Sequence, residues 1–357
     1  MNRTNPGEEP SARPGRIPLD PFATALTSHM PGWSMQLLAL HDSQRQRALT
    51  EQLWDWGTLH HAFTDFVIPE AAVLTGPGGA RLVVVHRPLH PGQLLAGALY
   101  DTSLDQAVHD GVDVRSPDGI SVGTDPVRAA QDIRSRLLPR YDHAVWRQRL
   151  AISSFACNEI SEVLNTWDGI SDDLTDEQGF PLDDTAYGDR AARRDTDAWA
   201  QVETLLASAP AIVSHLGAHL EQAGLASGSN AGDLHQVRLA EGALARAARL
   251  QEEFLATSTA GLTPQAAEQV LYAARETRHE EGWEAAVTLS QYLPTALHYA
   301  GSLPAPALTR PHSSPEASSM RSRAALSRTT QPGTSASVAP LPPPGGPAAP
   351  PPPGRSR

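Results

Sequence analysis

Apolar residues along the chain follow two different spacings. Between residues 32 and 124 they occur in short runs separated by glycine, proline and polar residues, whereas after residue 125 they recur every three or four positions. Short apolar runs are typical of strands, and the longer period is typical of amphipathic helices. The pattern predicts a small α+β domain over 32–124, with a small antiparallel sheet and one or two helices, followed by a mainly α helical bundle domain over 125–301.

The N-terminal domain contains a hairpin signal. Residues 71–75 and 81–85 are apolar or β-branched runs that flank the turn sequence Gly76-Pro77-Gly78-Gly79, so they predict two antiparallel strands. Before the hairpin, apolar residues at roughly helical spacing predict one amphipathic helix over 33–56. Further strands are expected at 66–68, 94–100, 112–114 and 120–122, and a short helix at 103–109.

The helical signal begins at Asp125, which can cap a helix that has Pro126 in its first turn. Pro139 is expected to kink or break this first helix, because proline lacks the backbone N–H that a helix uses. Further helices are predicted at 198–207, 210–222, 233–257 and 263–292. The bundle is therefore expected to contain five to seven helices.

An acidic segment interrupts the helical pattern. Seven acidic residues and no basic one lie between Asp168 and Asp184, together with Gly169, Gly179 and Pro181. These glycines and the proline favour a loop. No register of the segment supplies the alternating oxygen ligands, glycine and closing glutamate of a calcium-binding loop. The segment 168–184 is therefore predicted to be a solvated acidic loop.

Both ends of the chain differ in composition from its middle. Residues 1–31 are predicted to be a polar, flexible leader. Residues 302–357 contain 14 of the 31 prolines and no Ile, Phe, Trp or Tyr, so a disordered, basic Pro/Ser/Ala-rich tail is expected. Six arginines and one glutamate give this tail a charge of +5, which leaves −17 on the rest of a chain whose total is −12. Its proline runs favour an extended spacer.

The composition excludes several classes of chemistry. None of the 28 basic residues is a lysine, which rules out the phosphate-binding P-loop and Schiff-base enzymes. Cys157 is the one cysteine, so the chain cannot build an internal disulfide, a zinc ribbon or an iron–sulfur site. The apolar neighbours of Cys157 predict a buried, unreactive thiol.

The sequence also carries expectations about location and partners. We expect neither a secretory signal at the N-terminus nor a run of apolar residues long enough to span a membrane. With one cysteine and no such segments, the chain is predicted to be cytoplasmic and to have no membrane partner. The net charge of −12 disfavours broad binding to nucleic acids, whose phosphates attract cations.

One short motif suggests a nucleophile. The pentapeptide Gly119-Ile120-Ser121-Val122-Gly123 fits the G-x-S-x-G pattern, in which a hydrolase serine lies on a sharp turn between a strand and a helix. Here Ile120 and Val122 alternate with Ser121 and favour a strand through it, and no strands follow that could carry an acid and a histidine. Ser121 is therefore a candidate nucleophile without named partners.

Two histidine-containing patterns suggest a metal site. His215 and His219 are four residues apart, which places both rings on one face of a helix. Glu276 and His279 have the Glu-x-x-His spacing of di-iron bundles, although such sites use two copies of the motif. The alternative is that these side chains are surface or interface polar groups. No cofactor can be named from the sequence.

A third pattern is basic. Six arginines and two aspartates lie between residues 128 and 149, a segment that could contact an anion or nucleic acid. The arginines do not share one helical face, and we also expect them to pair with the acidic bundle. These residues are Arg128, Arg134, Arg136, Arg140, Arg147 and Arg149.

These observations lead to one leading hypothesis and two alternatives. Because two folded modules and a tail are present while every catalytic pattern is incomplete, the chain is predicted to be a cytoplasmic, non-enzymatic interaction or adaptor protein that binds another protein. The first alternative is a helical-bundle metal-binding protein or enzyme. The second is a DNA-associated regulatory or mobile-element accessory protein.

Overall fold

The computed structural model describes residues 17–100, 114–222 and 231–307. It confirms the expected fold class, because an antiparallel sheet precedes a helical bundle. The predicted helix at 103–109, the strand at 112–114, most of the predicted leader and most of the predicted tail lie outside the described residues.

The described residues form a five-stranded antiparallel sheet in which each strand lies next to its neighbour in the sequence. Its strands are β1 (Ser34–Ala39), β2 (Glu70–Thr75), β3 (Arg81–His86), β4 (Gln93–Ala98) and β5 (Ile120–Gly123). The predicted hairpin is confirmed as β2 and β3. Its connection is a 3₁₀ turn in which Gly78 and Gly79 have φ values of 66° and 79°, a region that favours glycine.

The helices cover the sheet and build the bundle. In the described residues they are α1 (Leu19–Ser28), α2 (Ser43–Thr50), α3 (Thr58–Asp65), α4 (Pro126–Asp132), α5 (Leu138–Leu174), α6 (Asp184–Gln222), α7 (Ala231–Leu255) and α8 (Pro264–Gly301). A π-helical segment, Ile133–Leu137, joins α4 to α5. The chain thus stays helical through Pro139, because the wider π turn immediately before it accommodates a residue without an N–H.

Both faces of the sheet are buried. Alternate strand residues such as Leu74, Leu82 and Val84 pack under α1, α4 and the start of α5. The residues between them, including Val73 and Val83, pack under α2 and α3. A sheet covered on both faces has continuous apolar strands, which explains why β2 and β3 show no polar alternation.

Helix α5 belongs to two cores. Its first two turns place Leu138, Tyr141 and Val145 against the sheet. From Trp146 to Ile160 its buried residues pack against α6 and α8, in a core to which α7 also contributes. The core of the sheet therefore extends beyond the boundary expected at 124/125. The bundle itself consists, in the described residues, of the four long helices α5 to α8, fewer than the five to seven expected.

Further sequence expectations differ from the structure, among them the strand at 66–68, since β2 begins only at Glu70. The single helix predicted over 33–56 is wrong: β1 pairs with β2 over six residues, and α2 starts only at Ser43. The prediction of two separate helices at 198–207 and 210–222 is wrong, because α6 is continuous from Asp184 to Gln222, with buried residues on both sides of Pro210. Within the predicted leader, α1 buries Leu19, Phe22, Ala23 and Leu26 against the sheet.

A buried carboxylate fixes the loops at one end of the sheet. Asp55 is 1% exposed and accepts hydrogen bonds from the backbone N–H of Gly57 at 2.5 Å and of Gly119 at 3.1 Å. The first bond lies just before α3 and the second just before β5. A side chain at Gly119 would collide with this carboxylate, so the close approach requires glycine there.

Candidate functional site

Ser121 does not lie on the turn that a nucleophile elbow needs. It is inside β5, paired with Leu95 of β4, and the chain passes through Gly123 and Asp125 before α4 begins. Its hydroxyl oxygen lies 3.4 Å from Nη1 of Arg87, which also donates to Gln93 at 2.7 Å. An arginine cannot accept the proton of the serine, so this contact supplies no general base.

The predicted metal ligands on α6, His215 and His219, do not lie in a cluster of metal-binding side chains. Nε2 of His215 lies 3.3 Å from the carbonyl oxygen of Pro304, and its ring packs edge-on against Trp146 with 5.1 Å between centroids. His219 is exposed one turn later. Within the described ranges, no group of three or more His, Cys, Asp or Glu side chains could hold a metal ion. The structure therefore does not gather His215, His219, Glu276 and His279 into one site.

His279 instead belongs to a partly buried polar network between α6, α7 and α8. The neighbouring Arg278 is 8% exposed and donates from Nη1 to Glu203 on α6 at 3.1 Å and to Gln251 on α7 at 2.7 Å. Its guanidinium carbon lies 4.0 Å from the ring centroid of Phe254. The network thus joins three helices through one arginine that the sequence patterns did not single out.

The hydrogen bonds of His279 determine its tautomer. Arginine only donates, so Nη2 of Arg278 donates to Nε2 of His279 across 3.1 Å. Nδ1 therefore carries the proton and donates to Oγ1 of Thr196 at 3.2 Å, and that hydroxyl donates to the carbonyl of Ala192 at 2.8 Å. Burial lowers the pKa of His279, and the charge of Arg278 lowers it further. His279 is therefore a neutral structural group at pH 7.

A second arginine, which is half-buried, lies between helices α5, α6 and α8. Arg194 on α6 lies between Trp167 of α5 and Trp283 of α8, with its guanidinium carbon 4.4 Å and 3.9 Å from the two ring centroids. Its Nε donates to Asp195 at 2.7 Å. Burial nevertheless raises the pKa of Asp195, because desolvation outweighs the hydrogen bond and charge of Arg194. Both arginines hold helices together rather than face an open site.

The six arginines of the basic segment are spread over the surface of α4, the π segment and α5. Arg128 lies 3.6 Å from the helix-capping Asp125, and Arg136 lies 3.6 Å from Asp132. Nε of Arg140 donates to the carbonyl of Arg136. Arg134 and Arg147 are exposed, while Arg149 is half-buried and has a contact of its own. The segment forms no single cationic face.

Cys157 and the acidic segment are structural features. Cys157 is buried, and burial raises the pKa of its thiol to about 12. The predicted acidic loop is shorter than expected, because α5 continues to Leu174 and Asp183 caps α6 by accepting from the N–H groups of Thr185 and Ala186.

The described sheet has two outer edges, at β1 and at the four-residue strand β5, and the longer edge at β1 leaves three residues with outward backbone groups. The N–H of Leu40 donates to the carbonyl of Pro69 at 2.8 Å, and bonded residues alternate along an antiparallel pair. Backbone groups therefore point toward β2 at Ser34, Gln36 and Leu38, and away from the sheet at Met35, Leu37 and Ala39. No strand of the described residues pairs with this outer edge.

The sequence of β1 does not protect this edge. Proteins commonly block exposed edges with charged residues, proline or bulges, and β1 contains neither a charge nor a proline between Ser34 and Ala39. Leu37 is 37% exposed. The edge was missed in the sequence because its apolar residues also fit helical spacing.

A groove of about 550 Å³ lies beside β1 and α2. Its apolar lining includes Leu37, Leu38 and Ala48, and its basic side chains are Arg45 and Arg81. Nη2 of Arg81 donates to Gln52 at 3.1 Å, whereas Arg45 is exposed and forms no ion pair with another described residue. The groove thus offers an apolar floor and an exposed guanidinium beside the outward backbone groups of β1.

Comparison of this chain with protein-family models, with curated proteins and with solved structures gives no match. In the described parts of the chain, no helix has both the length and the apolar character needed to cross a membrane.

Proposed function

We propose that this chain is a non-enzymatic interaction protein that binds an extended segment of a partner protein at the outer edge of β1. The observation that carries the proposal is the set of outward backbone groups at Met35, Leu37 and Ala39 in a strand without a protecting charge or proline. An added strand would take up these donors and acceptors in a continuous ladder. A cytoplasmic location is part of the proposal.

The groove beside β1 defines the chemistry of the bound segment. Alternate side chains of an added strand point to the same face, so one apolar side chain would reach the floor formed by Leu38 and Ala48. A neighbouring Asp or Glu would meet the guanidinium of Arg45. We therefore expect an extended segment that combines apolar residues with an acid. No observation on the described residues favours the metal-binding or DNA-binding alternative over this one.

Selection from a random peptide library displayed on phage, with the full chain as bait, tests the proposal. Enriched peptides should alternate apolar residues and contain an acid, and their affinity can be measured by fluorescence anisotropy. Leu37→Pro removes an outward N–H without breaking a bond to β2, and should weaken binding at least about fivefold. Arg45→Gln should weaken it about two- to fivefold.

Three results would contradict the proposal. Arg47→Gln is the matched control, because Arg47 is exposed on the same helix but does not line the groove. If Arg47→Gln weakened binding as much as Arg45→Gln, the groove would not be the site. If no peptide were enriched, or if enriched peptides bound Leu37→Pro as tightly as the native chain, strand addition at β1 would be excluded.

A further inference from the structure

Helix α8 carries a stripe of side chains that is buried over only part of its length. From Arg278 onward, the buried residues of α8 recur every three or four positions and face the other helices of the bundle. The same stripe continues toward the N-terminus of α8. Leu271 and Arg275 lie seven residues, or one heptad, before Arg278 and Gly282, and they therefore lie on the same helical face. Its N-terminal members are Pro264, Ala267, Glu268, Leu271, Tyr272 and Arg275.

This N-terminal part of the stripe has no covering helix among the described residues. Helix α7 ends at Leu255, and its Phe254 contacts Arg278, which is fourteen residues into α8. At 1.5 Å per residue, the N-terminus of α8 therefore lies about 20 Å beyond this contact along the helix axis. No residue of 264–275 is buried, and Tyr272 is 61% exposed. An amphipathic stripe of this kind normally packs against another helix.

The charges on the stripe are arranged symmetrically. Glu268 and Arg275 are seven residues apart, and Leu271 and Tyr272 lie midway between them. Neither charged side chain forms an ion pair or a hydrogen bond with another described residue. A two-fold axis between Leu271 and Tyr272 would place Glu268 of each copy opposite Arg275 of the other, so that the dimer would contain two such ion pairs. The same axis would bring Leu271 of each copy against Tyr272 of the other.

We propose that residues 264–275 form a homodimer interface in which two copies pair their α8 helices antiparallel about this axis. The occupant of the stripe is a second copy of this chain, because the surface is self-complementary in both charge and apolar character. A two-fold interface uses the same patch on both subunits, as this arrangement requires. The proposal concerns a surface separate from β1 and does not rest on the function proposed above.

Sedimentation velocity on the full chain tests this interface. The native chain should change from monomer to dimer between about 1 and about 200 µM. Glu268→Arg replaces both ion pairs of the dimer by two pairs of facing arginines, and Arg275→Glu replaces them by two pairs of facing glutamates. Each change alone should weaken self-association at least about tenfold, since two attractive pairs become repulsive.

Mixing the two single variants gives the sharper result. In a mixed dimer, each new charge faces the opposite charge of the other variant, so an equimolar mixture should associate as strongly as the native chain. Glu281→Arg is the matched control, because Glu281 is exposed on α8 but lies outside the stripe, and it should leave self-association unchanged. Circular dichroism of each variant checks that the helices are intact.

Several outcomes would overturn the proposal. A native chain that stays monomeric over the whole concentration range would exclude it. So would a dimer that Glu268→Arg does not weaken, or a mixture of the two variants that does not associate. A dimer lost in Leu37→Pro but unchanged in the charge variants would show that two copies meet at β1 instead.

Discussion

Gly282 on α8 offers the sharpest test of how the bundle is packed. A Cβ at this position would lie 2.5 Å from Cζ3 of Trp199 on α6, and closer still to Cε3 of the same ring. Trp199 is 2% exposed, and its indole N–H donates to Glu203 at 3.0 Å. Gly282→Ala must therefore displace a buried ring, and the displacement disturbs the acceptor that also holds Arg278.

The size of the effect follows from three contributions. Replacing a helical glycine by alanine stabilises a helix by about 1 kcal/mol. Overpacking a well-filled core costs about 1–3 kcal/mol, and loss of the hydrogen bond from Trp199 to Glu203 costs about 1 kcal/mol. We expect Gly282→Ala to lower the free energy of unfolding by about 1–3 kcal/mol.

Gly242 provides the matched control, because it lies within α7 and nothing comes within 4 Å of a Cβ built on it. Gly242→Ala should raise the free energy of unfolding by about 0.5–1 kcal/mol. Urea unfolding of both full-length variants, followed by circular dichroism, gives the comparison. If Gly282→Ala were as stable as Gly242→Ala, the close contact of α8 with Trp199 would be wrong.

Three further predictions concern buried polar groups. Because the pKa of His279 is lowered in the folded chain, below about pH 6.5 the unfolded chain binds a proton at this residue that the folded chain does not. The free energy of unfolding should therefore fall as the pH drops from about 6.5 toward the folded-state pKa, and it should fall less steeply in His279→Asn, as thermal melts at several pH values would show. Asp55→Ala removes a buried carboxylate and leaves two partly buried N–H groups without their acceptor, which should cost about 1–3 kcal/mol in urea unfolding, with a smaller loss for Asp55→Asn. A thiol reagent at pH 8 should label Cys157 in urea but not in the native chain, because the thiol is buried and its pKa is about 12. Rapid labelling of the native chain would contradict this burial.

The sequence predicted those parts of the fold that local chemistry determines. The hairpin of β2 and β3 was predictable because a glycine-rich turn separates two β-branched runs. Asp125 was predictable as a cap, and its carboxylate accepts from the N–H of Val127 at 3.0 Å. The helix predicted over 33–56 failed because the spacing of apolar residues in β1 suits a strand and a helix equally. Pairing with β2, which is remote in sequence, determines the outcome.

The candidate sites were harder to predict, because their roles depend on contacts between distant segments. His279 has the spacing of a metal ligand, yet Arg278 and Thr196 take up its two nitrogens. Ser121 has the motif of a nucleophile, yet strand pairing keeps it away from a turn. The open edge of β1 has no motif, since it consists of backbone groups that become available only when the sheet is formed. A pattern of residue types could not have indicated it.

The continuity of α5 has a consequence for how the molecule unfolds. One helix of 37 residues, about 55 Å long, contributes side chains to the cores on both sides of Val145 and Trp146. Helix formation is cooperative from turn to turn, so unfolding of α5 in one core should destabilise the turns of α5 that pack in the other core. We therefore expect the sheet and the bundle to unfold as one cooperative unit. A fragment ending at 124 would lack Leu138, Tyr141 and Val145, and would leave an apolar face of its sheet in water.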